Sequence, residues 1–181
     1  MSGKRSSGDE AATEDAVLLG PPTIEDGASM WRLARDSGKL DLNSSYAYLL
    51  WCRDFAETSV VARVADDVVG FVIGYRRPQA VDVLVVWQVA VDASQRGEGL
   101  AGALLDELLG RVTGDGVRYL ETTVTPDNAP SLALFASFAT RWSAEMGHFE
   151  LFASHGFPDE HEPERLYRIG PLERVTGRAT S

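Results

Sequence analysis

Between residues 83 and 112 the chain reads VLVVWQVAVDASQRGEGLAGALLDELLGRV, and this stretch restricts the possible folds more than any other. Val83 to Val91 is apolar almost without a break, so it reads as a strand covered on both faces and therefore central in its sheet. From about Gly99 to Val112, Leu100, Leu104, Leu105, Leu108 and Leu109 fall on one stripe of a helix. Gly114 and Gly116 end that helix, and Val117 to Val124 reads as a second strand. A βαβ crossover would make the two strands parallel. The chain is therefore α/β, built around one parallel pair.

The flanking segments add antiparallel strands and further helices. A short apolar stretch at Val17–Leu19 precedes a break at Pro21-Pro22-Thr23. Thr23 and Asp26 then offer helix-start chemistry. Asn43, Ser44 and Ser45 are good caps for a second helix running from Tyr46 to Phe55. Ser59–Val64 and Val68–Tyr75 read as strands joined by a tight hairpin at Asp66-Asp67. Pro126-Asp127-Asn128 starts another helix through Leu134, Phe135 and Phe138, and His148–Phe152 and Leu166–Ile169 read as closing strands. The expected organisation is one domain over residues 16–172, with disordered tails at 1–15 and 173–181.

Gly97-Glu98-Gly99-Leu100-Ala101-Gly102 also spells the dinucleotide fingerprint G-x-G-x-x-G, with Glu121 at the spacing of its ribose-binding carboxylate. Three features argue against that reading. Five residues, Asp92 to Arg96, separate strand from glycines, whereas the fingerprint follows its strand almost directly. Glu121 falls inside its strand rather than at the end. A hairpin precedes the βαβ unit, and no further βαβ unit follows. The same physics serves a different pyrophosphate: unpaired N–H groups at a helix start, glycines that admit an anion, and Arg96 to add a charged contact. A plain turn would need one glycine, not three beside a cation.

Composition narrows the partners. The 181 residues include 27 acidic against 17 basic, a formal charge of -10, so there is no broad basic field for nucleic acid. That balance suits a cationic or amine substrate. The single cysteine, Cys52, lies in an apolar helical pattern and reads as a buried structural thiol in a reducing, cytoplasmic setting. No zinc-ligand spacing is present, and no metal is expected. The start has no apolar signal region, and no run is long enough to span a membrane.

Val89-Ala90-Val91 followed by Gln95-Arg96-Gly97-Glu98-Gly99-Leu100-Ala101 resembles the acyl-CoA signature R/Q-x-x-G-x-G/A of the GNAT superfamily of N-acetyltransferases. Arg96, Gly99 and Ala101 fall on its defining positions, and the element order matches the superfamily from about residue 17 to 170. The resemblance implies acetyl-CoA as co-substrate, held by Val89, Val91, Arg96, Gly97, Gly99, Leu100, Ala101, Gly102 and Asn128. It also implies a homodimer, and a thioester beside the Trp87–Val91 strand, polarised by an N–H near Val89 or Ala90. The family often places a thiolate-protonating Tyr after the Asn; here the position is Phe135.

Further separated stretches, from Leu40–Tyr46 through Glu121–Asn128 to His161-Glu162, are similar to the branch of that superfamily acting on small diamino acids. That resemblance implies substrate contacts from Asp41, Asn43, Tyr46, Trp87 and Glu162. Asp41 and Glu162 would hold amines, although Asp41, Asn43 or Ser44 could each cap the second helix instead. Glu162 is the expected base, with His161 as a second proton carrier and Tyr46 as carboxylate ligand or acid. Other amines, or a silent CoA-binding module, remain alternatives.

Overall fold

Gly20 to Asp26 shows how locally the chain is determined. The Asp26 carboxylate accepts the Thr23 backbone N–H at 2.6 Å and pairs with Arg63, closing a short 3-10 turn ahead of α1 (Gly27–Ser37). Asp26 is buried, so its partners replace the water it has lost. Ser44 caps α2 (Ser45–Asp54) by accepting the Ala47 N–H, which settles the three-way choice of cap. The computed structural model describes residues 16–158 and 163–173. Both expected tails therefore lie essentially outside the described residues.

Among the described residues seven strands form one mixed sheet, in the order β1-β2-β3-β4-β5-β7-β6. They are β1 (Val17–Gly20), β2 (Ser59–Val64), β3 (Asp67–Arg77), β4 (Ala80–Val91), β5 (Tyr119–Val124), β6 (Met146–Phe152) and β7 (Glu164–Ile169). Only β4 and β5 pair in parallel, through the intervening α3 (Leu100–Gly114); α4 (Ala129–Arg141) links β5 to β6. The β2–β3 turn sits one residue earlier than expected. Ala65 takes a positive φ of 50° and Asp67 already pairs with Val64. No helix among the described residues is long and apolar enough to cross a membrane.

Two apolar layers sandwich the sheet. The leucine stripe of α3 packs with Phe135 and Phe138 of α4 on Val60, Val72, Leu84, Val86 and Leu120. Met30, Ala34, Tyr48, Trp51 and Cys52 from α1 and α2 cover Val61, Phe71, Ile73 and Ala90 on the other face. Burial pushes the Cys52 thiol up to about 11, with nearby Asp26 adding to the effect, so it stays protonated and unreactive near neutral pH.

One irregularity shapes the centre. Ile73 pairs with Gln88 but Gly74 pairs with Val86, so Trp87 is the extra residue of a β-bulge on β4. Alternation resets there. Val86 faces α3, whereas Trp87 and Gln88 both turn toward α2, Trp87 meeting the Trp51 ring at 4.3 Å. Pairing between β4 and β5 also ends at this point, at Val86 opposite Thr122. Gly74 permits the close approach: a Cβ there would lie 2.6 Å from the Val85 carbonyl oxygen. Gly74→Ala is expected to destabilise the protein by about 3 kcal/mol, lowering the melting temperature by roughly 6–12 °C in a calorimetric scan.

Candidate active site

Beyond Val86 the two parallel strands part, and a cleft of about 440 Å³ opens between them. It is lined by Val86 to Val91 on one side and by Thr122, Thr123 and Val124 on the other, with Asn128, Leu134 and Phe135 of α4 beneath. The exposed strand edge is chemically specific. Asp92 N–H bonds to the Val69 carbonyl on β3 at 2.8 Å, so by alternation Val91 and Val89 turn their backbone groups into the gap. Ala90 turns its own toward β3. Of the two amides expected to polarise a carbonyl, the Val89 N–H is the one that faces the cleft.

The glycine loop forms the outer end of the same channel. A second cleft of about 560 Å³ lies over the start of α3 and shares Val91, Arg96, Ala101 and Leu134 with the first. Gly97 and Gly99 hold φ of 87° and 79°, values that L-residues with a Cβ adopt only under strain. The first intrahelical bond is Ala103 N–H to Gly99 carbonyl at 3.0 Å, which leaves the Leu100, Ala101 and Gly102 amides without a helical acceptor. Leu100 offers only that amide, since its side chain belongs to the core.

Two guanidiniums flank these amides. Arg96 is folded back by a bond from its Nε to the Val91 carbonyl at 3.2 Å. Arg141 reaches across from α4, held by Asp106 at 3.0 Å, and a Cβ on Gly102 would sit 3.2 Å from it. Unpaired amides, a helix dipole and two cations suit a pyrophosphate. The straight gap behind them suits an extended amide-containing arm. Asn128 caps α4 through its Oδ1 to the Ser131 N–H at 3.2 Å while lining the cleft.

A third cleft of about 440 Å³ lies on the α1/α2 face, lined by Tyr75, Arg77, Val85, Trp87, Glu121, Thr123 and residues of β6 and β7. It meets the first cleft at Val86, Trp87 and Thr123. Trp87 is 45% exposed, so it is a wall of both clefts rather than core. Asp41 lines none of the three clefts, although its backbone carbonyl is tied to Gln88, the neighbour of Trp87. Buried Gln88 accepts from the Tyr48 hydroxyl at 2.9 Å and donates from Nε2 to the Asp41 carbonyl at 2.8 Å. Burial raises the Tyr48 hydroxyl above its ordinary pKa, keeping it a donor.

The remaining expectations divide. Asn43 lies between Asp41 and the start of α2, its Nδ2 3.5 Å from the Asp41 carbonyl. Tyr46, read as a carboxylate ligand or acid, is 64% exposed on α2 and lines none of these clefts; the hydroxyl turned inward is that of Tyr48, two residues on. His161 and Glu162 lie outside the described residues. Glu121 was legible only as a misplaced ribose ligand. It is 3% exposed, and accepts from Arg77 and from Arg168, each at 3.2 Å. The available signal was a carboxylate in the middle of the strand YLETTV, with an apolar leucine before it.

A sheet opened between parallel strands, with a phosphate cradle at one end and a second cleft at the other, defines an acyl-CoA-dependent acyltransferase. Residues 28–139 match the acetyltransferase (GNAT) family, and the chain belongs to it. It is 58% identical over 164 residues to the L-2,4-diaminobutyric acid acetyltransferase of Streptomyces coelicolor, covering 89% of this chain and 96% of that one. Identity to the enzyme of that name from Nocardia farcinica is 55% over 156 residues, 86% of this chain and 81% of the relative. Among solved structures, diaminobutyrate acetyltransferase EctA from Paenibacillus lautus, in complex with L-2,4-diaminobutyric acid and coenzyme A, superposes with a TM-score of 0.84. It is 39% identical, with 90% of this chain and 99% of that one covered.

Proposed function

We propose that the protein transfers the acetyl group of acetyl-CoA to the 4-amino group of L-2,4-diaminobutyrate. The product, N4-acetyl-L-2,4-diaminobutyrate, serves ectoine synthesis and hence osmoprotection. The observation that carries this reading is the junction at Val86, Trp87 and Thr123, where a cofactor channel and a second cleft meet through the splayed sheet. The family match and the diaminobutyrate enzymes at 45–58% identity support it.

The chemistry follows from the groups in place. An alkyl ammonium has a pKa near ~10 and must lose a proton before it can attack. Glu162 is the base in this account, directly or through water, with His161 beside it as an alternative carrier. Asp41, whose backbone carbonyl Gln88 holds, is the proposed ligand for an ammonium. The free amine then attacks the thioester directly in a ternary complex, and the Val89 N–H polarises the carbonyl. Cys52 offers no covalent route, being buried and protonated. A thiolate leaving group with a pKa near ~8.5 departs without strong acid assistance, so Phe135 in the tyrosine position is tolerable.

In this reading the protein is a cytoplasmic homodimer. Phe149, Leu151 and Phe152 are exposed on β6, an edge strand with one free side, and such an apolar edge calls for cover. Phe149→Asp, at an exposed position that lines none of the clefts, is expected to shift the light-scattering mass from dimer to monomer. The functional test is CoA release with diaminobutyrate, ornithine, lysine and a peptide. Turnover of diaminobutyrate at least tenfold above the others supports the assignment. Equal or better turnover of another amine points to a different GNAT substrate, and acetyl-CoA binding without turnover points to a silent module.

A further inference from the structure

Arg77 and Glu121 line the acceptor cleft and form a charged cluster with Arg168, which the acetyl-transfer chemistry above leaves unused. Arg77, at the end of β3, donates from Nη1 to Glu121 Oε2; Arg168, on β7, donates from Nη1 to Glu121 Oε1. Both carboxylate oxygens are thus engaged, and Glu121 is 3% exposed. A buried carboxylate already holding two guanidiniums is poorly placed to bind an amine or take its proton. Its work is to anchor cations.

The balance of the cluster is one negative charge against two positive, and the described residues supply no other carboxylate to either arginine. Arg168 is further committed, its guanidinium lying 4.1 Å above the Tyr119 ring. Arg77 is the freer of the two. It is about half exposed, lines the cleft, and spends one N–H on Glu121 while its fork retains further donors. This leaves one pre-oriented guanidinium with unspent donors on the wall of a cleft otherwise lined by Tyr75, Trp87, Thr123, the engaged Glu121 and apolar residues.

We propose that Arg77, oriented by Glu121 and backed by the charge of Arg168, binds the α-carboxylate of the amino-acid acceptor. This rests on the acceptor being a diamino acid, as proposed above. The spacing agrees. Glu121 and Thr123 share a face of β5, two residues or about 6.6 Å apart, with Thr123 at the junction where the amine must react. A four-carbon diamino acid spans roughly 5 Å from its terminal nitrogen to its carboxylate carbon. An extended diaminobutyrate therefore reaches from the junction to the guanidinium beside Glu121. The assignment gives the carboxylate a fixed cation that exposed Tyr46 does not provide.

The test compares L-2,4-diaminobutyrate with 1,3-diaminopropane, the same skeleton without the carboxylate. The wild-type chain is expected to favour diaminobutyrate by roughly 100-fold in kcat/KM, the scale of losing one charge-paired contact. Arg77→Met is expected to lower kcat/KM for diaminobutyrate by about the same roughly 100-fold factor and to erase the preference. Turnover of diaminopropane and the Kd for acetyl-CoA stay within about threefold. Arg77→Lys, which keeps the charge but loses the fork, retains part of the preference and carries the test if the methionine variant misfolds. A wild-type-sized preference that persists in Arg77→Met or in Arg77→Lys, or a fall shared equally by both amines, overturns the assignment. A wild-type chain that turns over neither amine overturns the functional reading on which it rests, a result visible before any variant is made.

Discussion

Gly99→Val is expected to raise the dissociation constant for acetyl-CoA by about 100-fold or more, measured by titration calorimetry. Gly99 stands at the left-handed N-cap of α3, with φ 79° and ψ 8°. A β-branched residue in that conformation costs on the order of 1–3 kcal/mol, and relieving the strain would turn the amides of the cradle away from their ligand. Space within the protein is not the obstacle, since nothing lies within 4 Å of an added Cβ. The new side chain would instead project into the volume a phosphate needs. Gly110→Ala is the control. It lies within α3, far along from the cradle, with equally open surroundings, and helix propensity makes the change worth up to ~1 kcal/mol of added stability. Acetyl-CoA affinity unchanged in Gly99→Val would mean that the cofactor's phosphates bind elsewhere.

Glu162→Gln is expected to lower kcat at neutral pH by on the order of 10²- to 10⁴-fold while leaving acetyl-CoA affinity intact. The residual rate carries the sign of the mechanism. Without a base, only substrate that arrives as free amine can react, and far below the ammonium pKa near ~10 that fraction grows about tenfold per pH unit. The variant's kcat/KM for diaminobutyrate should therefore climb steeply between pH 7 and 9. A variant that keeps wild-type turnover across that range removes Glu162 from the role of base.

The parts of this molecule that local chemistry determines were legible from residue order. The strand–loop–helix unit at 83–114, the helix starts within Asn43–Ser45 and Pro126–Asn128, and the buried Cys52 each depend on neighbours within a turn or on simple apolar periodicity. The site was less legible because its features are relations between distant segments. Trp87 becomes a shared wall only because β3 and β4 slip by one residue at Gly74, a register shift that alternation in β4 alone does not reveal. Glu121 becomes an anchor only through Arg77 and Arg168, 44 and 47 positions away. Tyr46 and Tyr48 are two residues apart on one helix, and the burial of the second depends on how α2 lies on β4. The acyl-CoA signature pointed to the glycine loop that forms the outer end of the cleft. The acceptor end had to be read from packing.

Two clefts meet through one gap in the sheet. In the proposed reaction Val89 and the α3 cradle would handle the thioester and phosphates, while Asp41 and Arg77 would provide opposite charges for a small zwitterion with an extra amine. The central question is which nitrogen is acetylated. The direct measurement is proton NMR of the product formed from acetyl-CoA and L-2,4-diaminobutyrate. The account predicts a downfield shift of the C4 methylene, with the Cα proton nearly unmoved, because the carboxylate anchor sends the distal amine into the junction. A shifted Cα proton, meaning acetylation at N2, would contradict it.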